Sequence, residues 1–274
     1  MHRKVSMTVL VDNIASEPLT GEWGLSILIT ADERKILLDT GAGSLFAQNA
    51  ERMGIDLSDV DTGVLSHAHY DHADGLDTFL ERNRKAEFLV RSGACENCYG
   101  IKEGKLNYIG IRSGILDKYA DRIRYVSGVY EIEDGIWLVP HRKADYSPIA
   151  IQNNLYIVRN GKRCPDDFSH EQSLVIETKK GLIVFNSCSH TGVKNTLTDI
   201  QTMLGRSDIH AYVGGLHLFR MEDEALAVLC NEIRQTSIEK IFTGHCTGDH
   251  AYDFLRMELG DWVHLFSSGF TFRF

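Results

Sequence analysis

The stretch Ser66-His67-Ala68-His69-Tyr70-Asp71-His72-Ala73-Asp74-Gly75-Leu76 places three histidines and an aspartate within six residues, 67–72. Neutral imidazole and carboxylate are ligands suited to zinc, manganese or iron. The apolar run Thr62-Gly63-Val64-Leu65 before the block reads as a buried strand, and Gly75 to Leu80 after it reads as a helix. At a strand end, alternation with period two puts His67 and His69 on one side. Asp71 and His72, at the helix start, turn toward the same point. That is enough to begin two metal sites side by side. Histidines can also gather on a solvated loop by chance, with Asp71 merely capping the helix. The ordered spacing at the end of an apolar strand favours the metal reading.

The same arrangement recurs along the chain. Leu182 to Asn186 runs into Ser187-Cys188-Ser189-His190, Ile209 to Val213 into Gly214-Gly215-Leu216-His217, and Lys240 to Thr243 into Gly244-His245-Cys246. Where helices cover a sheet, ligand sites gather beyond one end of the strands. Four strand ends that each present histidine therefore point to one shared site. The expected metal ligands are His67, His69, Asp71, His72, His190 and His245. His217 is open between a ligand, a supporting group and a proton donor to substrate. His2, His141, His170, His210, His250 and His264 lack this placement and read as surface or packing residues, with His141 and His170 kept as pocket candidates.

The elements that must position these residues follow from pattern. Val5–Val11, 24–30 and 35–38 read as strands, the last two joined by a tight turn. Residues 44–53 carry Leu45, Phe46, Asn49 and Met53 at helical spacing. A helix over 72–83 and a strand over 87–91 follow. From 92 to about 147 repeated glycines loosen the pattern and tyrosines are dense; this reads as an insertion or lid able to wall a substrate. Strands then alternate with helices over 193–204, 222–236 and 250–259, and 263–274 closes with strand-like alternation. The expectation is an α/β chain forming one domain over 1–274.

Composition narrows the partners. The chain has 274 residues, 43% hydrophobic and 24% charged, with a net charge of −9. An acidic balance argues against non-specific nucleic-acid binding, which wants a basic face, while leaving room for a local basic pocket. A small-molecule, anionic substrate is expected, with no nucleic acid and no membrane; association into oligomers is left open. Met1-His2-Arg3-Lys4 leads straight into a strand, without a secretory leader, so the expected compartment is the cytoplasm and its cysteines are expected to be reduced. The single Cys95-x-x-Cys98 reads as an incidental loop pair, with a redox or zinc role as the lesser alternative.

Together, the first strands, Asp39-Thr40-Gly41 and the His-x-His-x-Asp-His block resemble the metallo-β-lactamase superfamily. The resemblance implies an αββα four-layer sandwich: two mixed β-sheets, helices on both outer faces and a dinuclear site in a cleft at one edge. Glu22-Trp23-Gly24-Leu25-Ser26, Cys188-Ser189-His190, Gly214-Gly215-Leu216-His217-Leu218 and His245-Cys246-Thr247-Gly248 are similar to the branch of the 7,8-dihydropterin-6-methyl-4-(β-D-ribofuranosyl)-aminobenzene-5′-phosphate synthases. Carried over by position, His67, His69 and His190 would hold one metal, and Asp71, His72 and His245 the other. The pattern departs in one place. Where the superfamily has an aspartate bridging both metals, this chain has a loop with Cys188 and no aspartate, so either water alone bridges or Cys188 contributes. His170 competes with His190 as a ligand and ranks below it. Asp39 is expected to orient the histidine loop, and Asp12 or Asn13 to line the pocket rim.

The cofactor expected is two divalent metal ions, zinc first, with manganese or iron also suited. Metals ~3.5–4 Å apart can hold a hydroxide whose parent water has its pKa lowered to about 7. The expected activity is therefore metal-dependent hydrolysis by a metal-bound hydroxide, on a phosphoester, phosphoanhydride or cyclic ester. Asp71 would orient the attacking group, and His217 would stabilise the oxyanion or protonate the leaving group. One alternative is a pterin-pyrophosphate-dependent transferase of the synthase type; another is a non-catalytic metal-binding or sensor module.

Overall fold

Alternation in one buried strand defines the layers. Every residue of the strand Gly181–Phe185 is buried, yet its side chains leave in two directions. Ile183 and Phe185 join an apolar layer shared with Val5, Met7, Ile27, Ile36 and Val64. Leu182 and Val184 join a different layer, under Leu197, Ile200, Leu226 and Leu255. A strand apolar on both faces must be covered on both, and two sheets packed face to face with helices outside achieve this.

The computed structural model describes residues 3–141 and 145–274. His2 and part of the expected lid, 142–144, lie outside the described residues. The first sheet has seven strands in the order Thr271–Arg273, Val5–Val11, Ser26–Ala31, Arg34–Leu38, Thr62–Val64, Glu87–Arg91 and Ile123–Val126. The second has seven in the order Val263–Leu265, Lys240–Thr243, Ile209–Val213, Gly181–Phe185, Gln172–Thr178, Ile136–Pro140 and Tyr130–Glu133. Each sheet mixes antiparallel and parallel pairs. Helices Leu45–Arg52 and Leu76–Arg82 cover the first sheet through Phe46, Ala47, Phe79 and Leu80. Helices Val193–Leu204, Asp223–Arg234 and Asp249–Leu259 cover the second. This is the expected αββα sandwich.

Three local expectations change. The helix expected over 72–83 is two pieces, Tyr70–Ala73 and Leu76–Arg82. Gly75 separates them where the chain presses on its neighbour: a Cβ there would lie 2.1 Å from Thr40 O. The closing stretch is not one strand, because Val263–Leu265 ends the second sheet and Thr271–Arg273 crosses to edge the first. The stretch 92–147 is only partly a separate feature. Its strands Ile123–Val126, Tyr130–Glu133 and Ile136–Pro140 belong to the main sheets, whereas Tyr99–Lys102 and Lys105–Tyr108 join Leu155–Arg159 and Lys162–Pro165 in a small four-stranded sheet. Tyr99 and Tyr108 pack edge to face at 5.4 Å, and the Tyr108 hydroxyl donates to Ile111 O.

The parallel strands end together, so their following loops meet at one rim. Gly214 makes that convergence possible beside Asn186. It sits at φ 137°, and a Cβ there would lie 1.8 Å from Asn186 O. Backbone strain and overpacking combine at such a site. Gly214→Ala is expected to destabilise the fold by about 3 kcal/mol; a urea denaturation midpoint indistinguishable from the parent protein's would contradict this account of the strand end.

Candidate metal centre

At this rim the block 67–72 leaves the first sheet, while His190, His217 and His245 follow strands of the second. His67, His69, His72, His190 and His245 are all buried, and Asp71 is nearly so. Their orientation is set by a small number of oxygen acceptors. Asp39, wholly buried, accepts the Ser66 backbone N–H at 2.7 Å, the Ser66 hydroxyl at 2.6 Å and His72 Nδ1 at 2.8 Å. With the serine proton committed to Asp39, Ser66 Oγ accepts from His67 Nδ1 at 2.8 Å. Both rings therefore turn Nε2 lone pairs into the site. His245 is fixed from the far end of the chain. Asn13 Oδ1 lies 3.1 Å from its Nδ1, and Asp12 Oδ1 accepts its backbone N–H at 2.9 Å.

The inward nitrogens then face each other. His67 Nε2 lies 3.2 Å from His190 Nε2, and His72 Nε2 lies 3.1 Å from His245 Nε2. The ligand atoms of His67, His69 and His190 all lie within 4.8 Å of one another. Asp71 Oδ2 completes a second triad, 3.8 Å from His72 Nε2 and 3.5 Å from His245 Nε2. Tetrahedral ligands at ~2.0–2.1 Å from a metal stand about 3.4 Å apart, close to these separations. A proton between two nitrogens serves one contact, whereas a cation serves three ligands at once. His69 Nε2 makes the point sharper: it is buried and has no hydrogen-bond partner among the described residues. The residues fit two divalent cations, one per triad.

Electrostatics separates the triads. Burial, reinforced by the surrounding histidines, holds His67 and His190 well below the usual imidazole range. Burial together with His170 pushes His69 down to about 3. These rings are neutral near pH 7, the form that binds metal. Burial pushes Asp71 up, but His72 and His245 outweigh it and hold the carboxylate below its ordinary value. For His245, burial acts downward while the Cys246 sulfur and the Asp71 and Asp12 carboxylates prevail, raising it to about 9.

The other candidates fall into place around this set. His217, at φ 51°, lies beside His190 with ring centroids 4.4 Å apart, and its Nδ1 has no partner. His170 keeps both nitrogens occupied: Nδ1 accepts the Ala68 N–H at 3.2 Å, and Nε2 meets Asp166 at 3.1 Å. Its ligand atom lies with those of His69, Cys98 and Asp166 in a further compact group, all within 4.8 Å of one another, while His190 faces His67. His141 is 3.2 Å from Asn186 Nδ2 and does not line the cleft. Glu171 escaped sequence reasoning altogether. Its two oxygens accept the backbone N–H groups of His190 and Thr191 at 3.0 and 3.1 Å and pin that loop.

The triads form the floor of a cleft of about 400 Å³, bordered by Trp23, Tyr70, Lys102, Asn107, Phe219 and Arg220. The small sheet supplies Lys102 and Asn107. None of the tyrosines at 99, 108, 119, 125, 130 and 146 lines the cleft. Phe219, Lys102 and Arg220 carried no signal that sequence alone could separate from surface side chains, and Trp23 stood out only as part of the Glu22–Ser26 segment of the resemblance.

Two packed mixed sheets, helices outside and a histidine floor at the strand ends define a metallo-β-lactamase-fold protein. The profile of the metallo-β-lactamase superfamily matches residues 20–146. The solved structure of Tm1679, described as a metal-dependent hydrolase of the β-lactamase superfamily, superposes with a TM-score of 0.82 at 27% identity, covering 98% of each chain. Bacillus subtilis YhfI, a metallo-β-lactamase-fold protein, shares the fold at a TM-score of 0.58 and 11% identity, over 99% of this chain and 100% of its own. In sequence the chain resembles the 7,8-dihydropterin-6-methyl-4-(β-D-ribofuranosyl)-aminobenzene-5′-phosphate synthase of Methanocaldococcus jannaschii, at 27% identity over 94% of this chain and 92% of that one. The chain thus has the metallo-β-lactamase fold, matches that superfamily over residues 20–146 and is similar to that synthase.

Two outcomes follow. Asp39→Asn weakens the acceptor that orients His67 and His72, and is expected to lower metal affinity ~10–100-fold, measured by chelator competition; unchanged affinity would remove Asp39 from this role. Affinity should also divide by pH. A metal at the His245 triad must displace a proton below pH 9, so its affinity falls by up to ~10-fold per pH unit. The triad holding His69, kept down to about 3, changes little between pH 6.5 and 8.5, by ~2-fold at most. Metal titrations at those two pH values should resolve two classes of site; a single class with one pH response would refute the division.

Proposed function

We propose that this protein is a metal-dependent hydrolase of a small anionic substrate, a phosphoester, phosphoanhydride or cyclic ester. The observation that carries this reading is the pair of adjacent ligand triads on the floor of an open cleft with Lys102 and Arg220 on its border. Divalent ions held there would make a bound water acidic near neutral pH and polarise a phosphoryl or carbonyl oxygen. The chain's own side chains supply the rest. Lys102 and Arg220 bring positive charge to a cleft in a chain of net charge −9, which favours an anionic group there. Asp71 stays ionised and lines the cleft, where its carboxylate orients the nucleophile. His217 lines the same cleft and is placed to deliver a proton to the leaving group. A purely structural metal site would be closed by protein, whereas both triads border open space, which favours catalysis over a sensor role.

A second reading is a transferase of the kind its archaeal relative is named for. Two observations favour it: the resemblance spans nearly the whole chain, and an aromatic pair edges the cleft. Trp23 and Phe219, 47% and 42% exposed, meet edge to face at 6.1 Å, an arrangement that can pack a flat ring.

The two readings separate in one experiment. Protein loaded with zinc or manganese is assayed on p-nitrophenyl phosphate, bis-p-nitrophenyl phosphate and a lactone, and separately on a pterin pyrophosphate with and without an arylamine. Hydrolysis should appear, vanish with metal in His69→Ala while the fold is retained, and show a KM raised ~10–100-fold in Arg220→Ala. Pyrophosphate release that requires the arylamine would select the transferase instead. An active, metal-loaded His69→Ala protein would sink both.

A further inference from the structure

Two buried sulfurs on the cleft floor have no task in the proposed reaction. Cys188 follows the strand Gly181–Phe185, and Cys246 follows Lys240–Thr243. Those strands are not neighbours. Ile209–Val213 lies between them, so their backbones run roughly 9.5 Å apart. The two loops nevertheless close over the middle strand, because it runs into Gly214-Gly215. A Cβ on Gly215 would lie 2.5 Å from Cys246 Sγ and 2.8 Å from Ser187 O. With that space clear, Cys246 Sγ sits 3.4 Å from Cys188 Sγ, its thiol directed at that sulfur. The two residues are only 3% and 1% exposed, yet both line the cleft. A small neutral reagent that enters the cleft therefore meets both sulfurs together.

We propose that Cys188 and Cys246 form a redox pair, converted by hydrogen peroxide into a disulfide that disables the metal centre. The chemistry balances between the pair and the oxidant. One sulfur attacks the peroxide O–O bond and takes one oxygen as a sulfenic acid, while the other oxygen leaves as water. The second sulfur attacks the first and expels the sulfenic oxygen, which departs with the thiol proton as a second water. Two thiols lose two electrons and two protons, and one peroxide becomes two waters. A disulfide needs sulfurs ~2.05 Å apart, so from 3.4 Å the loops must approach by about 1.4 Å. Those loops carry His190, two residues after Cys188, and His245, directly before Cys246. A metal site holds its ligands to within ~0.5 Å, so the disulfide and the bound metals oppose each other. That consequence rests on the metal centre read above; formation of the bond does not.

Peptide mapping under non-reducing conditions reads the bond without any activity. Full-length protein loaded with zinc and treated with a slight molar excess of hydrogen peroxide should yield a peptide joining residues 188 and 246. It should also release zinc to a chromogenic chelator, with zinc affinity ~10–100-fold below that of the reduced protein. Dithiothreitol should reverse both changes. Cys188→Ser and Cys246→Ser should each lose the joined peptide, and Cys246→Ser should keep its zinc under the same treatment. Oxidation confined to the exposed Cys95, or sulfinic acid at Cys188 with no joined peptide, would overturn the pair. A joined peptide with zinc affinity unchanged would overturn its control of the metals. A reduced parent protein that binds no zinc would overturn the metal centre instead, and the joined peptide would still decide the pair.

Discussion

One buried carboxylate organises the site. Asp39 follows the strand Arg34–Leu38 at φ 60°, and its oxygens take the Ser66 amide, the Ser66 hydroxyl and the His72 ring. Its own backbone is anchored on both sides. The Asp39 N–H donates to Val64 O at 2.9 Å, and its carbonyl accepts the Ser26 hydroxyl at 2.8 Å. The next two residues continue the clamp. Thr40 donates its N–H and its hydroxyl to His72 O, and the Gly41 N–H donates to Leu25 O. A buried carboxylate is costly without donors; here three donors converge on it, and the two histidine rings inherit fixed orientations.

The rest of the rim repeats this use of strained backbone held by hydrogen bonds. Ser189, His217 and His245 have φ values of 55°, 51° and 48°. A non-glycine residue in that region costs about 1–3 kcal/mol, so the surrounding bonds must hold each turn. Asn186 Oδ1 accepts the Ser189 N–H at 2.7 Å, and the Ser189 hydroxyl donates to Gly215 O at 2.8 Å. Asp12 and Asn13 hold His245. The sharp reversals aim consecutive residues differently: His190 faces His67 while Ser189 bonds to Gly215, and His245 faces His72 beside Cys246.

What could be read from sequence follows from the range of the interactions. The block 67–72 is contiguous, so its order alone carries the two triads' beginnings. His190 and His245 are distant in sequence, but each follows an apolar strand and was legible from that repetition. Glu171 was legible only as a polar residue, and Asp12 and Asn13 only as candidates for the pocket rim, because their roles depend on partners across the fold; Asn13 meets His245 from the opposite end of the chain. The small sheet was hidden for the same reason. Tyr99–Lys102 pairs with Leu155–Arg159, and nothing in either strand announces the other. The stretch 92–147 does reach the cleft, but through Lys102 and Asn107, while Tyr99 and Tyr108 pack on each other.

The composition of each triad has a mechanical consequence. His67, His69, Asp71 and His72 belong to the first sheet's half of the sandwich, while His190 and His245 belong to the second. Each triad therefore spans the two halves. The apolar layer between the sheets, built from residues such as Val9, Ile29, Leu138 and Phe185, holds them together without directional preference. At the rim, directional bonds take over: Asp12 and Asn13 hold His245, Glu171 holds the His190 loop, and the facing nitrogens of the two halves stand 3.1 and 3.2 Å apart. A cation held by either triad would cross-link the halves, so its binding free energy would also be free energy of association between them. The small sheet and the 217–220 loop, which bring Lys102 and Arg220 to the cleft, lie outside the triads, so a cross-link there would not bind them directly.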